Sequence, residues 1–235
     1  LNENGSKLIV TVDNGISAID EIDYANELGI DVIVTDHHIP GDVLPNAVAV
    51  VDPHRKDCKS TFKDFAGVGV AFKLVSAIEG GRPDELLMHF ADFVAIGTVA
   101  DVVPIVGENR KLVKQGLRLI NRRERFGVQA IAHFAGLADK QILSSGIAFG
   151  IAPRINAAGR MGSADRALNL LLCEDADNAA DIAFEIDHAN ALRQEIEKDI
   201  LDSVEKQIND CPQMRYDRIL VVNGEGWHDG VIGIV

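Results

Sequence analysis

The 235-residue chain has 47% apolar residues, enough to bury a sizeable core, and 25% charged residues, an ordinary share for a globular fold. Its net charge of −13 argues against a general nucleic-acid binder, but not against a metal-dependent enzyme whose acidic ligands hold cations facing a phosphate. No stretch reaches the roughly 18–20 uncharged apolar residues of a membrane span. Leu1-Asn2-Glu3-Asn4-Gly5 shows no secretory leader, and the isolated cysteines Cys58, Cys173 and Cys211 form no disulfide framework or CxxC knuckle, so a reducing cytoplasm is expected.

In chain order, residues 7–12 read as a buried strand that ends on Asp13, and Asn14-Gly15 is a turn signal. Ser17 is placed to cap a helix in which Ile19, Ile22, Ala25 and Leu28 recur at helical spacing, with Gly29 ending it. Residues 31–35, a β-branched run, form a second strand ending on Asp36-His37-His38. This βαβ unit makes the two strands parallel. A third strand over residues 47–51 stops at Asp52-Pro53, which completes a parallel α/β sheet.

Gly67-Val68-Gly69-Val70 then opens a helix reaching about Ile78. Gly80-Gly81 breaks it, and Pro83 suits the first turn of an almost wholly apolar helix over residues 85–99 that delivers Asp101. Residues 109–120 form a helix rich in basic groups: Arg110, Lys111, Lys114 and Arg118, followed by Arg122, Arg123 and Arg125. Short helices are expected at 128–134 and 145–149, a loop at 153–161, and a helix at 165–173. From 178 to about 208 one long helix carries a narrow apolar stripe (Ile182, Ile186, Leu192, Ile196, Ile200, Val204, Ile208), suited to a connector packed on one side. Pro212 ends it, residues 218–222 read as a strand, and a glycine-rich loop at 224–230 leads into Val231-Ile232-Gly233-Ile234-Val235. A second α/β domain is expected to start near Asp217.

The chemistry concentrates at the strand ends. Just past a strand the alternation of side chains relaxes, so His37 can turn to a metal while His38 faces a substrate. Two exposed loop histidines beside a helix-capping Asp are the plain alternative. Asp13, on a neighbouring parallel strand, can reach the same ion, and ligands on separate strand ends are held by a rigid scaffold. Asp101 closes an apolar helix, where a carboxylate is costly to bury without a partner; a helix cap or a metal explains it equally. Carboxylates with imidazole suit Mn²⁺ or Mg²⁺ better than Zn²⁺.

Four segments together resemble the DHH phosphoesterase superfamily: Val10-Thr11-Val12-Asp13-Asn14-Gly15, Thr35-Asp36-His37-His38, Ala66-Gly67-Val68-Gly69-Val70-Ala71-Phe72-Lys73-Leu74, and Gly97-Thr98-Val99-Ala100-Asp101-Val102-Val103-Pro104. Pro153-Arg154-Ile155-Asn156-Ala157-Ala158-Gly159-Arg160-Met161 and Gly226-Trp227-His228-Asp229-Gly230 are similar to the RecJ-type single-strand-specific exonucleases within it. The resemblance implies an α/β, parallel-sheet DHH domain with a helical extension (1–177), a connecting helix (178–212) and the beginning of a DHHA1 domain (213–235). It implies a two-ion Mn²⁺ or Mg²⁺ site, with Asp13, Asp36, His37 and Asp101 as ligands, Asp13 bridging and Asp36 a ligand or a support. His38 would be catalytic, contacting the scissile phosphate. The implied reaction is hydrolysis of single-stranded DNA from a 5′ end to 5′-mononucleotides, in repair and recombination. A single-strand-binding protein and a helicase are the implied partners, with no membrane involved.

The family's first, Asp-rich motif would precede Leu1, so a chain starting there is expected to hold metal weakly and to be inactive or nearly so. Arg154, Asn156 and Arg160 read either as a helix-linking loop paired with acids or as a phosphate grip, and the resemblance favours the grip. His228 is implied to contact phosphate. The basic run at 110–125 is either a solvated helix face or an electrostatic guide for a strand backbone. Gly67 and Gly69 permit close backbone approach, and His54, His89, His133 and His188 receive no role. A DHH phosphodiesterase acting on short oligonucleotides or cyclic dinucleotides, and a non-catalytic nucleic-acid-binding relative, are the alternative readings.

Overall fold

A computed structural model describes the backbone of all 235 residues and every side chain except those of Asn2 and Arg215. The chain forms two compact units, one of Leu1–Arg122 with Gln141–Ala148, the other of Arg123–Lys140 with Phe149–Val235.

The first unit is built on a three-stranded parallel sheet of β1 (Leu8–Val12), β2 (Asp31–Thr35) and β3 (Ala49–Val51), in that order. Helix α1 (Ile19–Glu27) crosses from β1 to β2 and buries Ile22 and Ala25 against Ile30, Val32 and Val34. The register pairs Val12 with Thr35 and Thr35 with Val51. The residue after each strand is an aspartate, so Asp13, Asp36 and Asp52 stand in a row at the C-terminal edge, where open parallel sheets bind ligands. β1 was expected to be buried and is instead an edge strand. Leu8, Val10 and Val12 share one face that nothing covers among the described residues, and are about half exposed (52%, 45% and 49%). Ser17 does not cap α1. Ala18 holds the N-cap position with no side-chain hydrogen bond.

Helices α2 (Gly67–Ile78), α3 (Pro83–Ala100) and α4 (Gly107–Arg122) complete this unit around a core of Phe65, Val70, Phe72, Val94 and Leu112. Pro83 lies in the first turn of α3, where its missing N–H has no partner to lose. Gly116 of α4 lies against the Ala91 carbonyl and Ala95, an approach that admits no side chain.

In the second unit, α5 (Phe126–Phe134), α7 (Ala152–Met161) and α8 (Asp165–Leu171) pack on the 35-residue α9 (Ala176–Asp210). In the chain α7 follows a short α6 (Ser144–Gly146), which belongs to the first unit, and a π-helical segment (Ile147–Ile151). The loop expected at 153–161 is helix α7: Pro153 falls in its first turn, and Ala157 and Ala158 are buried. Asp175 caps α9 by accepting the Asn178 N–H at 2.8 Å. The stripe on α9 is one-sided as expected, but Leu192 is exposed, and Ala179, Ala183 and Asn190 take buried positions beside Ile186 and Ile200.

The strand expected at 218–222 does not form. Ile219 and Val221 are about four-fifths exposed (78% and 81%), and among the described residues no strand pairs with them. A 3-10 turn (Pro212–Tyr216) and a short α10 (Asp229–Ile232) are the regular elements after α9. Among the described residues no helix is long and apolar enough to cross a membrane.

Candidate metal centre

Asp36 organises the edge of the sheet. It is 1% exposed, and its Oδ2 accepts the Ile16 N–H at 3.0 Å. Its Oδ1 accepts the His37 and His38 N–H groups at 2.7 and 3.3 Å and lies 2.7 Å from the His38 Nδ1. Burial pushes this carboxyl up, but the hydrogen bonds from Ile16, His38 and His37 outweigh it and leave it below the usual carboxylate range. The same contact raises the His38 imidazole above its ordinary value, against a smaller effect of burial. With Nδ1 turned to Asp36, the His38 ring directs Nε2 outward, and 60% of its side chain is exposed.

His37 points the other way. Its Nε2 lies 2.9 Å from Asp13 Oδ1 and 3.4 Å from Asp101 Oδ2. That nitrogen is buried and makes no hydrogen bond. A buried imidazole nitrogen converging on two carboxylates without bonding to either is the donor arrangement of a shared cation, and the set suits Mn²⁺ or Mg²⁺. Ligand atoms of Asp13, Asp36, His37 and His38 all lie within 4.8 Å of one another. Burial raises the Asp101 carboxyl, His37 partly offsets this, and the charge of Asp13 adds to it. A cation would relieve both effects.

The backbone around these groups is strained. Asp13 has φ 65° and Val102, next to Asp101, has φ 60°. For a β-branched valine this is an outlier, and such strain concentrates at ligand sites. Gly67, at the start of α2, lies so close to Asp13 that an added Cβ would overlap the carboxylate. This is the close approach expected of that glycine.

Two groups escaped sequence reasoning. His54 Nδ1 bonds the His37 carbonyl at 2.7 Å, and the Asp52 Oδ1 accepts the His54 N–H at 2.6 Å. The signal was available: Asp52 ends a strand just as Asp13 and Asp36 do. Burial raises the Asp52 carboxyl, and its Oδ2 has no partner.

The remaining candidates lie in the second unit. Arg154 donates from Nε to Asp187 at 2.8 Å, from one terminal nitrogen to the Gly150 carbonyl at 2.9 Å, and from the other to the Phe134 carbonyl at 3.0 Å. It ties α7, α9 and the end of α5 together. Asn156 is exposed on α7. Arg160 donates to the Gly230 carbonyl at 3.1 Å, while His228 caps α10 by accepting the Gly230 N–H at 3.1 Å. Arg160 and His228, 68 positions apart in the chain, therefore meet at Gly230.

A parallel sheet whose strands end on aligned aspartates, with a His-His turn at the central one, is the arrangement of a DHH-type domain, and residues 2–98 match the DHH family, N-terminal domain. The whole chain is similar to RecJ proteins. It is 43% identical to the single-stranded-DNA-specific exonuclease RecJ of Bacillus subtilis over 100% of this chain and 29% of that protein. It is 40% identical to RecJ of Escherichia coli over 98% of this chain and 42% of that protein. A crystal structure of Thermus thermophilus RecJ in complex with Mn²⁺ superposes with a TM-score of 0.81 at 39% identity, over 98% of this chain and 34% of that one. A Mg²⁺ complex of RecJ from the same organism superposes with a TM-score of 0.69 at 34% identity, over 97% of this chain and 32% of that one. The chain thus spans well under half the length of these relatives.

Proposed function

We propose that this chain is the metal-binding part of a RecJ-type exonuclease that hydrolyses single-stranded DNA from the 5′ end to 5′-mononucleotides in repair and recombination in the cytoplasm. The observation that carries this reading is the buried His37 Nε2 between Asp13 and Asp101, without a hydrogen bond. Mn²⁺ or Mg²⁺ would be held by Asp13, His37 and Asp101, and a second ion would draw on further carboxylates. When bound, such ions supply Lewis-acid activation of water and phosphate.

The protein's own residues do the rest. Asp36 fixes the turn so that His37 faces the cation and His38 faces solvent. Asp36 raises the His38 imidazole and favours its protonated form, in which Nε2 would donate to a phosphate oxygen and stabilise charge that grows there in the transition state. Arg160, His228 and the exposed Asn156 are proposed phosphate contacts, and Arg154 acts through the packing of its unit. A single-strand-binding protein and a helicase are proposed partners. The 43%-identical relative supports the nuclease reading, as does retention of Asp13, Asp36, His37, His38 and Asp101 together; a merely binding relative has no need of all five.

Two measurements test this. Mn²⁺ titration of the 235-residue chain by calorimetry is expected to show binding that Asp13→Ala and His37→Ala each abolish. A full-length protein containing the chain is expected to release mononucleotides from a 5′-labelled single strand and to lose release at least a hundredfold on His38→Ala. Release only from the 3′ end, or equal activity on duplex, would overturn the assignment.

A further inference from the structure

Helix α4 carries Arg110, Lys114, Arg118 and Arg122 at four-residue intervals, one per turn. At 1.5 Å per residue the row is about 18 Å long. All four line one groove of about 640 Å³ in the first unit, floored by aliphatic side chains such as Ile105, Leu117 and Leu143, and no acidic residue lines it. The four cations are exposed, and among the described residues none of them forms an ion pair.

Helix stability does not explain this row. Like charges four apart repel along a helix, and Arg110 stands in the first turn, where the helix dipole disfavours a cation. In a chain of net charge −13, four uncompensated cations in one groove mark a site for a polyanion. Its direction is informative. α3 and α4 pack side by side and are joined by the short connection that follows Asp101. The row therefore starts at the connection carrying a metal-centre carboxylate and leads away from it along α4.

We propose that this groove is a docking track for the sugar–phosphate backbone of single-stranded nucleic acid, continuous with the metal centre. The inference rests on the nuclease reading above and adds a binding surface to it. The cations meet successive phosphates, and the aliphatic floor takes bases or sugars without selecting sequence.

The test is fluorescence anisotropy of labelled oligo(dT) with the 235-residue chain, in EDTA to prevent cleavage, across a salt series. Each single-strand phosphate contact contributes about 0.7 to the log–log salt slope, so Lys114→Gln with Arg118→Gln is expected to lower the slope by about 1.4. Across a fourfold rise in salt, wild type then loses about sevenfold more affinity than the variant. Arg110→Gln with Arg122→Gln repeats the test at the ends of the row. Lys198→Gln with Lys206→Gln, exposed on α9, removes the same charge elsewhere and is expected to leave the slope unchanged. An unchanged slope in both groove variants overturns the proposal, and so does an equal fall in the α9 control. Displacement of a labelled poly-glutamate peptide with no effect on oligo(dT) would make the groove a site for acidic protein segments and overturn it as well. A Mn²⁺ titration of each variant keeps the two readings apart. Failure of the metal centre appears in wild-type calorimetry, whereas failure of the track appears only in the salt slope.

Discussion

Gly67→Ala tests the close packing on which the metal centre rests. The added Cβ would overlap the Asp13 Cβ as well as its carboxylate, so rotating the side chain does not relieve the clash and the backbone at Asp13 or at the α2 start must shift. Gly67 is buried at the start of a packed helix. Stability should fall, because this overlap outweighs the roughly 0.5–1 kcal/mol that alanine gains over glycine at a helical position. Metal affinity should fall. Losing the placement of a ligand through a neighbouring group typically costs 10–100-fold, or about 1.4–2.8 kcal/mol. The assay is Mn²⁺ calorimetry paired with thermal melting in EDTA. The expected result is a Kd raised about 10–100-fold together with a lowered melting temperature. An unchanged Kd, or a melting temperature at or above that of wild type, would refute the reasoning.

Other substitutions read other parts of the edge. Asp36→Ala leaves the Ile16 and His37 N–H groups without acceptors and should cost about 2–5 kcal/mol in urea unfolding at pH 7. Asp36 and Asp52 should show opposite pH signs. The folded carboxyl of Asp36 is lowered, so its stabilisation is full above the unfolded value near 3.9 and is lost as pH falls through the folded value. Asp52 is raised, so its contribution is full below the unfolded value and is lost as pH rises through the folded one; Asp52→Asn should be neutral or stabilising at pH 7. Melting curves of both asparagine variants between pH 3 and 7 check this. His54→Ala frees the His37 carbonyl and should weaken Mn²⁺ binding about tenfold, read by calorimetry, with His54→Gln restoring part of it. Arg154→Ala leaves Asp187 and two carbonyls unpaired and should destabilise by about 2–4 kcal/mol without altering Mn²⁺ affinity.

The sheet was legible because β-branched apolar runs, interrupted by one helical period, leave little choice but parallel strands. Asp13, His37 and Asp101 were legible as one group because each stands where an apolar element ends. Asp52 carries the same signal, a carboxylate at a strand end, and the register places it beside Asp36. Pro153 and Gly159 look like loop punctuation, yet the proline occupies a first turn, and burial of Ala157 and Ala158 decides for helix. Arg154 was read by its chemistry alone, and only packing shows its donors turned to Asp187 and two carbonyls. Residues 218–222 show a related limit: an apolar run specifies a tendency, and among the described residues none pairs with this one.

The Asp-His-His turn divides labour in a way its sequence conceals. Three adjacent polar residues suggest three ligands, but a carboxylate that already accepts three backbone N–H groups and an imidazole has little capacity left for an ion. We therefore propose Asp36 as a support that turns the two neighbouring rings in different directions. The cost appears elsewhere, in an aspartate and a valine at positive φ and in two carboxylates converging on one buried nitrogen. Each of these is unfavourable alone. In the proposed function a divalent ion would turn the repulsion between Asp13 and Asp101 into coordination, and the strained edge would serve as its receptor.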